Sequence, residues 1–133
     1  MSKTPEMFSG QQRVVVDWDG TCVEQVWPEH GDWLPGAVEA LHAFLNAGLE
    51  VYIYTTRLAP RQIDEVTQVK RTDRERERRI IREQLDAAGL EDVHIWRRPW
   101  KPGALAYVDD KAVRFNGDWM EVVGAVLTTA VVA

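Results

Sequence analysis

Four short apolar runs punctuate the chain, and three of them end in a compact group of polar residues. Arg13–Val16 is β-branched and runs into Asp17-Trp18-Asp19-Gly20-Thr21. The run 50–55 leads into Thr55-Thr56-Arg57, 93–96 forms a third run, and 105–108 leads into Asp109-Asp110. A continuous apolar run bounded by a turn signal suits a strand buried on both faces. Between the first two runs, Val38, Leu41, Phe44 and Leu45 recur at helical intervals and Gly48 closes the segment. Between the second and third, Ile80, Ile81, Leu85 and Ala88 make the apolar arc of a helix over about 72–88, which Gly89 terminates. Asp118 suits the N-cap of a last helix that begins near Trp119.

Strands alternating with helices imply parallel pairing through crossover helices, hence a layered α/β domain. Ligands of such sheets bind in the crevice at the carboxyl ends of the strands. The polar groups at 17–21, 55–57 and 109–110 all fall at such ends. One domain over 1–133 is expected, with 1–12 as a flexible N-terminal segment.

Composition changes this picture little. The chain has 133 residues, 45% hydrophobic and 28% charged, with a net charge of -5 that argues against an indiscriminate polyanion binder. Cys22 is the single cysteine, so no internal disulfide can form and nothing points to an oxidising compartment. The first residues do not read as a signal peptide. The C-terminal apolar run 122–133 is too short for a spanning helix, which needs roughly 20 residues, and reads as a last helix packed on the domain. A cytoplasmic protein without membrane association is the expectation.

Chemistry enters with the carboxylates. Where a strand ends and the backbone turns, Asp17 and Asp19 can converge on one point. Neighbouring carboxylates repel unless a cation compensates them, and a set of oxygen ligands selects a hard ion such as magnesium. Gly20 permits a sharp turn and a close approach to a ligand, while Thr21 offers a hydroxyl and an amide. Taken singly, an Asp-x-Asp is as well explained by a capped turn, Lys101 by a solvated loop, and Asp109-Asp110 by a turn after a strand. Their occurrence together at one sheet edge, in this order, is what points to a site.

The order Asp17-x-Asp19-Gly20-Thr21, then Thr55 after an apolar strand, then Lys101 and Asp109-Asp110, resembles the haloacid dehalogenase superfamily. Trp27-Pro28, Gly31, 34–37 and 107–112 further resemble its small, capless bacterial and phage hydrolases. The resemblance implies a Rossmann-like three-layer α/β/α sandwich about a mainly parallel sheet, with no folded cap. It also implies a magnesium-dependent phosphatase. Asp17 would be the nucleophile that becomes an aspartyl-phosphate, and Asp19 the acid and then the base. Thr55 would bind a phosphoryl oxygen and Lys101 would neutralise charge. Gly20, Thr21, Thr56 and Arg57 would contact the substrate. Asp17, Asp110, Asp109 and the Asp19 carbonyl would hold magnesium. Aspartate at position 19 favours a phosphatase over an ATPase-type member. The alternatives are action on a nucleic-acid or nucleotide phosphate end, and a catalytically idle binding or scaffold protein.

The surroundings are expected to be modest. The stretch 22–33 would form a small flap bringing Trp27 or His30 to the substrate, although Trp27 reads first as packing against the sheet edge. Segment 58–71 would form a rim. Arg71, Arg74, Arg78 and Arg82 fall on one helical stripe, which suits nucleic-acid phosphates. It equally suits a solvated face with pairs Glu75–Arg79 and Arg79–Glu83, and the latter is preferred. A phosphorylated small molecule or nucleotide is thus expected ahead of a polymer. Trp100 is the ring expected to face the substrate, Trp96 and Trp119 are expected to pack, and Trp18 to point away from Asp17 and Asp19. His42 and His94 have no metal-ligand spacing.

Overall fold

The computed structural model describes residues 12–59 and 73–132. Four parallel strands, β1 (Arg13–Val16), β2 (Glu50–Ile53), β3 (His94–Ile95) and β4 (Ala106–Val108), lie in the order β3-β2-β1-β4. The α/β class with a parallel sheet is as the sequence implied. Strands β1 to β3 step in one direction and β4 returns to the far side of β1, so the order reverses between β1 and β4. Such a reversal opens a crevice at the carboxyl ends of the two strands.

Register pairs Val14 with Val51 and Val16 with Ile53, which puts these four on one face. Helices α1 (Ala37–Asn46) and α2 (Arg74–Ala87) cover that face through Leu41, Ile81 and Leu85, and Trp18, Val23, Leu90 and Val93 complete the core. The opposite face carries Val15, Tyr52 and Tyr107 in register. Arg13 crosses it, buried, with its guanidinium 4.8 Å from the Tyr52 ring and 5.2 Å from that of Trp96. Cations over aromatic faces are attracted by the ring quadrupole.

Helix α2 starts where Asp73 accepts the amides of Glu75 (3.0 Å) and Arg76 (3.3 Å), an N-cap of the ordinary kind. Its ion pairs are Glu75–Arg78, Arg82–Asp86 and, at 3.9 Å, Arg76–Glu77, not the Glu75–Arg79 and Arg79–Glu83 pairs anticipated. Arg82 is drawn from the stripe into the structure, giving hydrogen bonds to the carbonyls of Val93 (2.7 Å) and Leu90 (3.0 Å). Arg71 and most of the 58–71 rim lie outside the described residues.

Helix α3 (Trp119–Val132) starts as expected, with Asp118 accepting the Met120 amide at 2.9 Å. Its packing is not as expected. Trp119, Met120, Val123, Val126 and Leu127 are all exposed, and so is Tyr107 on the sheet face that α1 and α2 leave uncovered. No helix among the described residues is long and apolar enough to cross a membrane.

Candidate active site

The amide of Asp17 donates to Val108 at 2.9 Å, locking the residue after β1 to the end of β4. This bond sets Asp17 beside Asp109 and Asp110, and one carboxylate oxygen from each of the three lies within 4.8 Å of the others. Gly20 makes the approach possible. It has φ 83°, and a Cβ there would stand 2.5 Å from Oδ2 of Asp110. Only a residue without a side chain tolerates both the left-handed backbone and the carboxylate. Burial pushes the Asp17 carboxyl up to about 6; a backbone bond from Trp18 opposes this, and the charges of Asp109, Asp110 and Asp19 add to it. A cluster of three oxygen donors whose charges oppose one another fits a hard divalent cation, magnesium first.

Next to this cluster is a crevice of about 190 Å³ lined by Asp17, Asp109, Tyr54, Thr55, Thr56, Leu58, Ala59, Trp96, Arg98 and Pro99. Thr55 is buried, and its Oγ1 accepts the Arg57 amide at 3.2 Å as it caps the short 3-10 turn Thr56–Leu58. Its own hydroxyl proton points to no acceptor among the described residues, and can serve a bound oxyanion.

Behind the crevice, Arg57 is wholly buried and forms a hub. Nε and Nη2 donate to the two oxygens of Asp19, both at 2.7 Å. Nη1 donates to Glu77 at 2.6 Å and to the Pro28 carbonyl at 2.8 Å, and Nη2 also reaches the Glu29 carbonyl at 2.6 Å. Burial opposes the Arg57 charge, but the bonds to Asp19 and Glu77 outweigh it and its pKa is raised. The Trp27 ring stacks on the guanidinium at 4.5 Å. His30 extends the hub. Indole can only donate, so Trp18 Nε1 gives its hydrogen to His30 Nδ1 at 3.1 Å. The hydrogen of neutral His30 is then on Nε2, which faces Glu77 at 3.3 Å. Burial and then Arg57 lower the His30 pKa, which fits this neutral form.

No protein-family model matches the chain, and no curated protein does. A solved structure does resemble it. That protein is a conserved one coded by a locus from Bacteroides thetaiotaomicron, 22% identical, with a TM-score of 0.54 over 88% of this chain and 90% of that chain. At this identity the likeness speaks to the fold alone, and it agrees with the parallel α/β arrangement.

Of the residues singled out in the sequence, Asp17, Asp109, Asp110, Thr55 and Thr56 come together, with Gly20 against Asp110. Others stand differently. Arg57, expected on the substrate, is buried because two carboxylates and two carbonyls claim its donors. The Asp19 side chain is outside the three-acid cluster, both of its oxygens being held by Arg57. Lys101 makes no ion pair with Asp17; its Nζ lies 4.4 Å from the Tyr107 ring centroid, whose face attracts it. Thr21 has a buried hydroxyl oxygen without a partner. Trp100 does not line the crevice, whereas Trp96 does, donating Nε1 to the Trp100 carbonyl at 2.7 Å. His30 packs in the hub and not over the substrate. Cys22 is buried, and burial followed by the Asp17 charge raises its thiol to about 12, so it is no nucleophile.

Sequence reasoning passed over Glu77, Tyr54 and Arg98. Glu77 carried a legible signal: it stands four residues before Ile81 and eight before Leu85, on the arc that faces the core. An acid on that arc needs a buried cation.

Three outcomes follow from this geometry. Arg57→Ala leaves Asp19 and Glu77 without their cation, and is expected to lower unfolding free energy by about 3–5 kcal/mol in urea denaturation. The raised Asp17 pKa means that the folded protein binds a proton more tightly than the unfolded chain. That contribution to stability is present near pH 4 and is lost as pH rises through about 6. Magnesium needs the ionised carboxylate, so the rise in Tm on adding magnesium is expected to be large at pH 7.5 and small at pH 5. Gly20→Ala is expected to remove most of that magnesium-dependent rise, because its methyl group displaces Asp110.

Proposed function

We propose that the chain is a magnesium-dependent phosphatase of the haloacid dehalogenase type, cleaving a phosphomonoester through an aspartyl-phosphate on Asp17. The observation that carries this reading is the convergence of Asp17, Asp109 and Asp110 at the reversal between β1 and β4, beside a crevice containing Thr55. An oxygen of Asp17 attacks phosphorus while the bond to the ester oxygen breaks. Water then attacks the acyl phosphate, restoring the carboxylate and releasing inorganic phosphate. The departing oxygen takes up a proton and the attacking water gives one up, and Asp19 is the group assigned to both transfers. To act, it must leave the Arg57 clamp, which makes Arg57 the residue that positions it between turnovers.

Phosphoryl transfer rests mainly on alignment and charge neutralisation. Thr55 is poised to hydrogen-bond an equatorial oxygen. Arg98 lines the crevice and supplies positive charge there, and Lys101, in the same connection, can join it by leaving Tyr107. Magnesium held by Asp17, Asp109 and Asp110 would supply charge compensation for the phosphoryl oxygens.

The clamp on Asp19 and the placement of Lys101 over Tyr107, without an ion pair to Asp17, favour a second reading, a binding protein that keeps the fold and takes phosphate ligands without turnover. Hydrolysis of an aryl phosphate separates the two. A phosphatase is expected to require magnesium and to lose activity in Asp17→Asn, with its circular dichroism unchanged. Undiminished turnover in that variant would overturn the nucleophile assignment. Absence of turnover across a broad panel of phosphate esters would leave the binding protein.

A further inference from the structure

A second cavity, of about 490 Å³, opens at the outer edge of the sheet between β3 and α2. Its lining is cationic and aromatic: Arg78, Arg79, Arg82 and Arg97, with Tyr52, His94, Ile95 and one acid, Glu75. Four arginines against one glutamate is a marked concentration in a chain of net charge -5. Not all four are available. Arg82 is bound to Asp86 and to the turn after α2, and Arg78 pairs with Glu75 at 2.5 Å. Arg79 and Arg97 make no hydrogen bond or ion pair among the described residues, and Arg78 Nε is buried without a partner. Guanidinium donors left open around a cavity fit phosphate oxygens. The exposed His94 ring lies 5.0 Å from the Tyr52 ring, at 34°, and offers an aromatic face to a base.

The two cavities share one connection. Ile95 and Arg97 line the cationic cleft, while Trp96, Arg98 and Pro99 line the acidic crevice. A ligand that presents a phosphate to Asp17 and also reaches Arg79 and Arg97 must carry further phosphates on a flexible backbone across this rim. The crevice, at about 190 Å³, admits a phosphate and its sugar but not a base pair. We infer that the cleft binds the phosphodiester backbone of a single-stranded nucleic acid whose phosphorylated end enters the crevice. The end-cleaving part rests on the phosphatase reading above; the binding part does not.

Two measurements keep these parts distinct. The first is fluorescence anisotropy of a labelled ten-nucleotide oligothymidylate with the Asp17→Asn protein, which reads binding without turnover. Affinity is expected to fall with salt, and Arg79→Ala/Arg97→Ala is expected to reduce the logarithmic salt slope by about 1.4, two single-strand phosphate contacts at about 0.7 each. The second is hydrolysis by the otherwise intact chain of end-phosphorylated oligothymidylate, thymidine monophosphate and an aryl phosphate. The double variant is expected to lose at least about tenfold in kcat/KM on the oligonucleotide, the scale of one contact of about 1.4 kcal/mol, and nothing on the aryl phosphate. Salt-dependent binding that the double variant weakens, without turnover on any ester, supports the cleft while removing the phosphatase. Salt-insensitive binding, or equal loss on all three substrates, overturns the cleft. Thymidine monophosphate used as well as the oligonucleotide, and equally sensitive to the double variant, overturns the polymer in favour of a small nucleotide.

Discussion

The guanidinium of Arg57 joins four parts of the chain. It holds Asp19 from the end of β1, the carbonyls of Pro28 and Glu29 from the flap, and Glu77 from α2, while sitting in the turn that follows β2. Burying a charge is costly, and it is tolerated only where the partners are close and the donors are all used. Here two carboxylates and two carbonyls meet that condition. The flap is fixed at its root as well, by the pairing of Val23 with Trp33 and the bond from the Glu24 amide to the Asp32 carbonyl. The wall behind the crevice is therefore ionic, in a domain whose core is otherwise apolar.

The front of the site is governed by the opposite condition. Asp17, Asp109 and Asp110 are gathered by backbone constraints, the bond from the Asp17 amide to Val108 and the turn at Gly20, and among the described residues no cation forms an ion pair with them. Among the described residues, Asp19 has a bonded counter-charge and its neighbours have none. Two aspartates separated by a single residue thus face different electrostatic surroundings, one saturated and one wanting. This division separates the two carboxylates electrostatically, although only Trp18 lies between them in the chain.

Much of this was legible from sequence because it is local. The β-branched run before Asp17, the helical spacing of Val38, Leu41 and Leu45, and the polar groups ending each run depend on neighbouring residues alone. The parallel sheet and the convergence of Asp17 with Asp109 and Asp110 follow from them. What was not legible depends on which way a side chain turns in three dimensions. Arg57 follows Thr55 and Thr56 in sequence, yet the short 3-10 turn sends it inward. Lys101 stands in the expected order, yet an aromatic ring on β4 claims it. Trp96 was read as packing material and does pack, with one edge also lining the crevice. The exposure of α3 contradicts a reading from apolarity alone.

Gly20 and Asp110 are 90 positions apart, yet they occupy the same few cubic ångströms, the carboxylate filling the volume that a methyl group would need. Their substitutions are consequently conditional on one another. A side chain at 20 meets two obstacles, the left-handed backbone and the carboxylate at 110, and shortening the residue at 110 removes only the second. A lineage that drifted at one without the other would lose the third carboxylate before it lost the fold.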